Sequence, residues 1–335
     1  MRLIKSVEFD SEVKLDLKDK KILHYISEDA RMPYTQIAKK VMLSKDAVKY
    51  RMNNLEKKGV IQGYMSVVDI AKIGYDSYHI LLQLNKINKE IRSELVKVFK
   101  SYPFVKVVLE FSGKYDFEIG IAVRNLKELD MIVTKIIGDV DKCIQSYEIL
   151  TLVKTYEGRI FPESFLNIKE KTELKKESDV KVDGTDLKIL GKLSLDSTIS
   201  LYDVGKVVGL TSEAVNYRIK NLKKQGVIKR FAPMINHHVL GYTVYGLLIN
   251  VNNLDGKKEA KLKEFLHINK NVLWAVKCIG KYNLFAYICV KKSDDLHQTI
   301  SDLRELFSSD IKEYETMVAY QVYEYNYFPE VCKTF

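Results

Sequence analysis

Two stretches of the chain carry the same pattern of lysine, tyrosine, arginine and asparagine side chains. They are DAVKYRMNNLEKKGVI at residues 46–61 and EAVNYRIKNLKKQGVI at residues 213–228, and ten of their sixteen positions are identical (Ala, Val, Tyr, Arg, Asn, Leu, Lys, Gly, Val and Ile). Their apolar residues recur at spacings of four and three, which predicts an amphipathic helix with its polar residues outward. Cationic and amide side chains in such a row suit hydrogen bonds to the phosphates and base edges of DNA.

The candidate DNA-binding residues are those that the helical spacing turns outward, together with the predicted caps Ser44 and Thr211. Arg51 and Arg218 lie at the flank of each helix, where a guanidinium suits a phosphate or a guanine edge. The full set is Ser44, Lys45, Lys49, Tyr50, Arg51 and Asn53 in copy one, and Thr211, Ser212, Asn216, Tyr217, Arg218 and Lys220 in copy two.

The plainer alternative is that these are ordinary exposed residues of a surface helix. Charge argues against a second copy that has lost its function. Residues 44–58 hold five basic and two acidic residues, and residues 211–225 hold four and one, so both segments carry +3. We therefore expect both helices to bind DNA.

The overall charge agrees with a polyanionic partner. The 335 residues carry a formal net charge of +10, which favours nucleic acid over an acidic membrane surface without deciding between them. The sequence has neither a long apolar run nor an apolar stretch typical of a signal peptide, so we expect a soluble, cytoplasmic protein and no membrane partner. Its four cysteines form no C-x-x-C pair, and we predict neither a metal nor a cofactor.

The whole chain is a duplication. Adding 167 to a residue number carries copy one onto copy two from about residue 16 to residue 163, without insertion or deletion. The predicted domains are 14–68 and 182–235 (two winged helix-turn-helix domains), 75–160 and 242–328 (two ferredoxin-like domains for ligand binding and oligomerisation), and a charged linker at 164–181.

The fold class follows from the elements in each copy. Three short helices, the last two joined by a tight turn, precede a β-ribbon, which predicts a winged helix-turn-helix. A β-α-β-β-α-β succession follows, which predicts a ferredoxin-like domain. The chain is therefore an α+β protein, a tandem duplication of these two parts.

The residues that carry a family pattern are Leu15, Asp16, Asp19, Ile22, Leu23, Ser44, Val48, Arg51, Leu55, Gly59, Val60, Ile61, Gly63, Tyr64 and the Gly-Lys-Tyr-Asp signature at 113–116. With these residues and elements, the chain resembles the Lrp/AsnC, or feast/famine, family of transcription regulators. The resemblance covers both copies and implies an effector-binding, oligomerising domain of the RAM type after each winged helix. It departs from the family's usual single unit per chain, and copy two has Asn283 and Phe231 in place of Asp116 and Tyr64.

The resemblance also implies candidate effector residues, because the loop of that signature lies near a small-molecule site in the family. An alternative is that these loops only connect two strands, with glycine supplying a positive φ. The candidates are Gly113, Tyr115 and Asp116 in copy one and Gly280, Tyr282 and Asn283 in copy two.

Two other functions stay open. Siroheme decarboxylases share this two-part fold, but their chemistry would need histidines and arginines gathered around a porphyrin carboxylate. Only His237 and His238 are adjacent among the six histidines, and the usual catalytic motifs are absent from the sequence, so we do not expect an enzyme. The other alternative is an interaction scaffold with vestigial DNA-binding domains.

We therefore predict a sequence-specific DNA-binding transcription regulator. Its partner is double-stranded DNA, bound by an internal pseudo-dimer on an imperfect inverted repeat, because the outward residues of the two third helices differ. A small metabolite of the amino-acid class is the expected effector, and further assembly into homo-oligomers is left open.

Overall fold

The computed structural model describes residues 12–85, 88–166 and 180–333. Most of the predicted linker at 164–181 lies outside these residues. Copy one contains α1 Leu17–Glu28, α2 Tyr34–Val41, α3 Lys45–Lys57, β1 Ile61–Val68, β2 Asp76–Leu84, α4 Lys89–Ser101, β3 Val105–Ser112, β4 Phe117–Val123, α5 Leu126–Val140 and β5 Ile144–Gly158. Copy two contains α6 Gly184–Leu195, α7 Leu201–Val208, α8 Ser212–Lys224, β6 Ile228–Ile235, β7 Thr243–Val251, α9 Gly256–Ile268, β8 Val272–Ile279, β9 Leu284–Val290, α10 Ser293–Phe307 and β10 Ile311–Tyr325.

These elements form two compact units, and each unit combines the equivalent parts of both copies. The helical unit comprises residues 12–75, 180–240 and 326–333, and the sheet unit comprises 76–166 and 241–325 apart from residues 86 and 87. The predicted domain bounds, drawn within single copies, remain predictions.

The first helix of each copy begins at a capping box. The Asp16 carboxylate accepts from the amide of Asp19 at 2.8 Å, and the Asp19 carboxylate accepts from the amide of Asp16 at 3.4 Å. Asp183 and Asp186 repeat this arrangement at α6. Because two amides that lack helical partners are satisfied reciprocally, each helix has a defined start.

The strands after α3 and α8 form one ribbon between them. β1 pairs antiparallel with β6, so each copy contributes a single strand to a two-stranded sheet. The sequence predicted a ribbon in each copy. The shared ribbon satisfies the backbone groups that a lone strand would leave unpaired.

Symmetric backbone bonds also join the two copies in the helical unit. The Ala30 amide donates to the Phe231 carbonyl at 2.9 Å, and at the equivalent positions the Ser197 amide donates to the Tyr64 carbonyl at 3.2 Å. In addition, Arg31 Nη1 donates to the carbonyl of Ser197 at 2.6 Å. The three-helix parts of the two copies therefore hold each other in one arrangement.

The sheet unit confirms the ferredoxin-like prediction. Copy one has the strand order β5-β2-β4-β3 and copy two the order β10-β7-β9-β8, both antiparallel. The edges join across the copies, β5 with β8 and β10 with β3, which closes the eight strands into one ring. The helices cover the outside, as the packing of Phe99 of α4 against Phe117 of β4 shows. Alternate residues therefore face inward, where the copies meet.

Candidate nucleic-acid interface

The outward surfaces of α3 and α8 each carry an exposed tyrosine at the equivalent position. Tyr50 is 67% exposed and Tyr217 is 66% exposed. By contrast, Val48 and Val215, two positions earlier in their helices, are fully buried. An exposed aromatic ring of this size at the same place in both copies is available for stacking or hydrogen bonding with a partner.

The polar residues around these tyrosines differ between the copies. Lys45, Lys49 and Asn53 are exposed on α3, and the equivalent positions of α8 hold Ser212, Asn216 and Lys220. Lys220 is exposed, while Ser212 and Asn216 are half-buried. The exposed lysines therefore lie on different turns of the two helices. Any contacts that the two helices make with DNA are for this reason not identical.

Ser44 and Thr211 begin these helices, as the sequence predicted. The Ser44 hydroxyl accepts from the amide of Ala47 at 3.1 Å, and the Thr211 hydroxyl accepts from the amide of Ala214 at 3.3 Å. Both residues remain exposed to solvent. Each hydroxyl oxygen accepts a hydrogen bond from a helix amide, and the hydroxyl proton is available to donate to a phosphate oxygen.

The turn before each of these helices needs a left-handed residue. Met42 has φ +52°, and its equivalent Gly209 has φ +70°. Glycine adopts this conformation without strain, whereas Met42 adopts it with an exposed side chain. Both turns close the same way despite the different residues.

Arg51 and Arg218 make ion pairs within their own copies that the sequence did not predict. Arg51 Nη1 donates to Asp16 and to Asp19 of α1, both at 2.7 Å. The hydrogen bonds that Arg51 donates to Asp19 and then to Asp16 raise the pKa of Arg51. Each arginine therefore fastens the third helix to the start of the first, and we propose that this internal contact takes the place of the DNA contact predicted for it.

Arg218 repeats this clamp in copy two. Its Nη1 donates to Asp183 at 2.8 Å and to Asp186 at 2.9 Å. The amide of Asp186, followed by Arg218, lowers the pKa of Asp183 below its ordinary value, although burial opposes this. A signal for this contact was present in the sequence, because the paired aspartates recur at the same offset as the arginines.

The loops carrying the candidate effector residues are tightly constrained in the sheet unit. Gly113 has φ +153° and Gly280 has φ +149°, at the edge of the region that favours glycine. A Cβ at Gly280 would lie 2.7 Å from the carbonyl oxygen of Ile149 in the other copy. Glycine is required at this point by the close approach of the two copies.

The remaining candidates also make internal contacts. Tyr115 and Tyr282 are buried, and burial raises the pKa of Tyr282 to about 12. The Asp116 carboxylate accepts from the amide of Leu84 at 2.7 Å. At the equivalent place, the Asn283 side chain bonds both backbone groups of Val251. These contacts are those of strand connections, and effector binding at these loops stays a prediction.

Sequence reasoning missed a polar cluster inside the sheet unit. His79 Nδ1 lies 2.5 Å from Glu118 Oε1, and the Tyr287 hydroxyl donates to Glu118 Oε2 at 2.5 Å. All three side chains are buried. The available signal was the alignment of the copies, which places glycine opposite two of these residues, at Gly246 and Gly120.

Within the described ranges, no group of three or more His, Cys, Asp or Glu side chains is arranged to hold a metal ion. The described helices also include none with the length and apolar character needed to cross a membrane.

Comparison with known proteins supports the two three-helix parts separately. The sequence matches the winged helix-turn-helix DNA-binding family twice, at residues 15–62 and 182–229. It is 34% identical over 129 residues to the HTH-type transcriptional regulator LrpA of Pyrococcus horikoshii, a match covering 38% of this chain and 89% of LrpA. An uncharacterised HTH-type transcriptional regulator of the same organism is 30% identical over 162 residues, covering 47% of this chain and 99% of the relative. Each relative corresponds in length to about one copy.

A solved structure matches nearly the whole chain. The siroheme decarboxylase NirDL aligns with 94% of this chain and 96% of its own, with a TM-score of 0.61 and 16% identity. At that identity, the match shows a shared fold only.

Proposed function

The chain belongs to the Lrp/AsnC family of helix-turn-helix transcription regulators, and we propose that it binds one DNA operator with both of its third helices as an intramolecular pseudo-dimer. The observation that carries this proposal is the single helical unit. The paired strands β1 and β6 and the symmetric bonds of Ala30 and Ser197 join α3 and α8 within it. Two recognition helices with a fixed relation suit two half-sites at a fixed spacing.

Joining both helices in one chain changes the concentration dependence of binding. Once one helix is bound, the other meets its half-site at a high effective concentration. A regulator of this kind needs no second chain to form a complete DNA-binding pair. We therefore expect one chain per operator.

The proposed contacts divide into two groups. Lysines at the exposed positions 45, 49 and 220 would bind phosphate and supply the salt-dependent part of the affinity. Tyr50 and Tyr217, with Asn53 and Asn216, would contact the bases or sugars and supply selectivity. Because Lys49 corresponds to Asn216 and Asn53 to Lys220, the two half-sites are proposed to differ.

The test is titration of the DNA upstream of the protein's own gene, against unrelated DNA, over a salt series. A preference of roughly a thousandfold or more with a steep salt dependence would support a specific regulator. Replacing both Tyr50 and Tyr217 by Ala is expected to weaken binding to that DNA by about tenfold or more. The matched control is Tyr320→Ala, at a 63% exposed tyrosine of β10. Equal binding by the double variant and the control would contradict the proposed interface.

A small effector of the amino-acid class belongs to the same proposal. The loops at residues 113–116 and 280–283 stay the proposed site, although their side chains also make contacts within the sheet unit. It is expected to change operator affinity when single amino acids are added to the titration. Unchanged affinity with every amino acid would remove this part of the proposal.

The enzyme alternative rests on the fold shared with NirDL. Binding of an iron tetrapyrrole, measured as a shift of its visible absorbance, together with the absence of DNA binding at low salt, would favour it. We expect no shift of the tetrapyrrole absorbance, and we expect DNA binding at low salt.

A further inference from the structure

The inner face of the sheet unit holds an ionisable side chain that is fully enclosed. Glu118 has no exposed surface, and its two carboxylate oxygens face His79 of its own copy and Tyr287 of the other. A buried carboxylate is tolerated only where polar partners replace its water. One of the two partners of Glu118 thus comes from the opposite copy.

Aromatic rings from copy two surround this polar group. Trp274 stacks on His79 with ring centroids 6.0 Å apart, and Phe285 meets the same ring edge-on at 6.0 Å. Trp274 also stacks with Tyr287 at 5.3 Å. The histidine of copy one is therefore held in an aromatic corner supplied by copy two.

The two copies differ strongly at the positions that form this contact. In two of the four equivalent pairs, glycine in one copy stands opposite a large or polar side chain in the other. The equivalent pairs are His79 and Gly246, Glu118 and Phe285, Gly120 and Tyr287, and Val107 and Trp274.

The glycines leave no room for larger residues in this arrangement. A Cβ on Gly120 would lie 2.9 Å from Cβ of Val107 and 3.2 Å from Nε2 of His79. A Cβ on Gly246 would lie 3.1 Å from the ring of Phe111 in copy one. The small residues of each copy thus make space for neighbouring large ones.

We propose that this inner face is a heterotypic recognition surface, by which a copy-one half binds a copy-two half and rejects another half of its own kind. Its partner is the opposite half of the duplication, in the same chain or in a second copy of the chain. The surface therefore fixes how the duplicated halves associate, separately from any binding of DNA.

Pairing of like halves fails for two different physical reasons. Two copy-one halves would set Glu118 against Gly120 of the other half, which leaves each buried carboxylate without its tyrosine and opens a void. Two copy-two halves would set Phe285 against Tyr287 of the other half, which crowds aromatic rings and leaves the hydroxyl without its carboxylate. Only a copy-one half paired with a copy-two half fills the inner face and also gives the buried carboxylate and hydroxyl their hydrogen-bond partners.

A second tyrosine contact between the copies provides a matched control. The hydroxyl of Tyr323 donates to Glu110 at 2.7 Å, again from copy two to copy one. The position equivalent to Tyr323 holds Tyr156, so a like pairing retains a tyrosine there. For a copy-one half, which carries Glu110, this contact adds stability without selecting the partner, and Tyr323→Phe should not alter its choice of partner.

The experiment uses the full chain with a protease site introduced between residues 166 and 180. Two preparations, with and without an affinity tag on the copy-one half, are cut, mixed in denaturant, refolded and captured by the tag. We expect the captured material to contain the copy-two half in equal amount and untagged copy-one half at less than about a tenth of that amount. Untagged copy-one half in an amount similar to the copy-two half would overturn the proposal.

Where refolding fails, production of the three polypeptides in one cell replaces it, and the same ratio is measured after capture. A copy-two half carrying the copy-one residues at all four positions is expected to lose capture at least about tenfold. A copy-one half carrying the reciprocal four exchanges should then restore it, because the complementarity is re-established with the roles reversed. Failure of this rescue, or undiminished capture before it, would overturn the proposal.

Discussion

Replacing both Arg51 and Arg218 by Ala distinguishes the structural role of these arginines from the DNA-contacting role that their sequence position suggests. Each guanidinium joins the third helix of its copy to two aspartates at the start of the first. The arginine side chains are 28% and 31% exposed, and Asp16 and Asp183 are more than half exposed, so these ion pairs are partly screened by water. A partly exposed pair contributes about 0.2–1 kcal/mol, which gives about 0.5–2 kcal/mol for the two pairs of each arginine.

The loss should appear in stability and leave DNA affinity nearly unchanged. Urea unfolding is measured at about 50 mM and about 500 mM NaCl, and the destabilisation is expected to shrink at the higher salt. Affinity for the upstream DNA, measured where the variant is folded, should fall by less than about threefold. Arg304→Ala, at an exposed arginine of α10, is the control for removal of positive charge. An unchanged unfolding midpoint with a tenfold or greater loss of affinity would refute the clamp and restore both arginines to the DNA interface.

Two further predictions concern ionisation. Because the amide of Asp186 and then Arg218 depress the folded-state pKa of Asp183, its contribution to stability is present above the ordinary value of 3.8 and is lost as pH falls through the folded value. In the variant Asp183→Asn, the free energy of unfolding should therefore fall less steeply as the pH drops below about pH 4, as measured by urea midpoints. An equally steep fall in the variant and in the unmodified protein would contradict this. The second prediction is that a thiol reagent at neutral pH labels Cys143, which is partly exposed. Cys278 and Cys289 should remain unlabelled until denaturant is added, because both are buried and burial raises the pKa of Cys278 to about 12. Rapid labelling of Cys278 in the native protein would show that the sheet unit opens.

The helices and strands could be predicted from the sequence because their signals are local. Capping residues such as Ser44 and apolar positions such as Val48 and Met52 determine where α3 begins and which side is buried. The duplication strengthened these predictions, because an independent second copy repeated the same pattern. The winged helix and ferredoxin-like parts followed from the order of the elements.

Contacts between the copies could not be predicted in the same way. The pairing of β1 with β6, and of β5 with β8, depends on which strand edges meet in the fold. The sequence of a strand does not specify which other strand it pairs with. The buried Glu118 was missed for a similar reason. Its partner Tyr287 lies 169 positions away, and a carboxylate in an apolar strand has no local pattern that marks it as buried.

The exposure of side chains at the candidate site could be predicted, and their binding to DNA stays a prediction. Exposure of Tyr50 and Tyr217 follows from helical spacing, and the structure agrees. The ion pairs of the arginines one position further on could not be predicted, because helical spacing gives the direction of a side chain but not its neighbours on the next helix. Only the fold brings Asp16 and Asp19 beside Arg51.

The central claim is that one chain occupies two half-sites, and the stoichiometry and affinity on a mapped operator test it most directly. The upstream fragment is footprinted, and the protein is titrated against the intact site and against a site with one half replaced. We expect one chain per intact operator and a loss of affinity of at least about a hundredfold when either half is replaced. Two chains on the intact operator, or equal affinity for the intact and the half-replaced site, would contradict the claim.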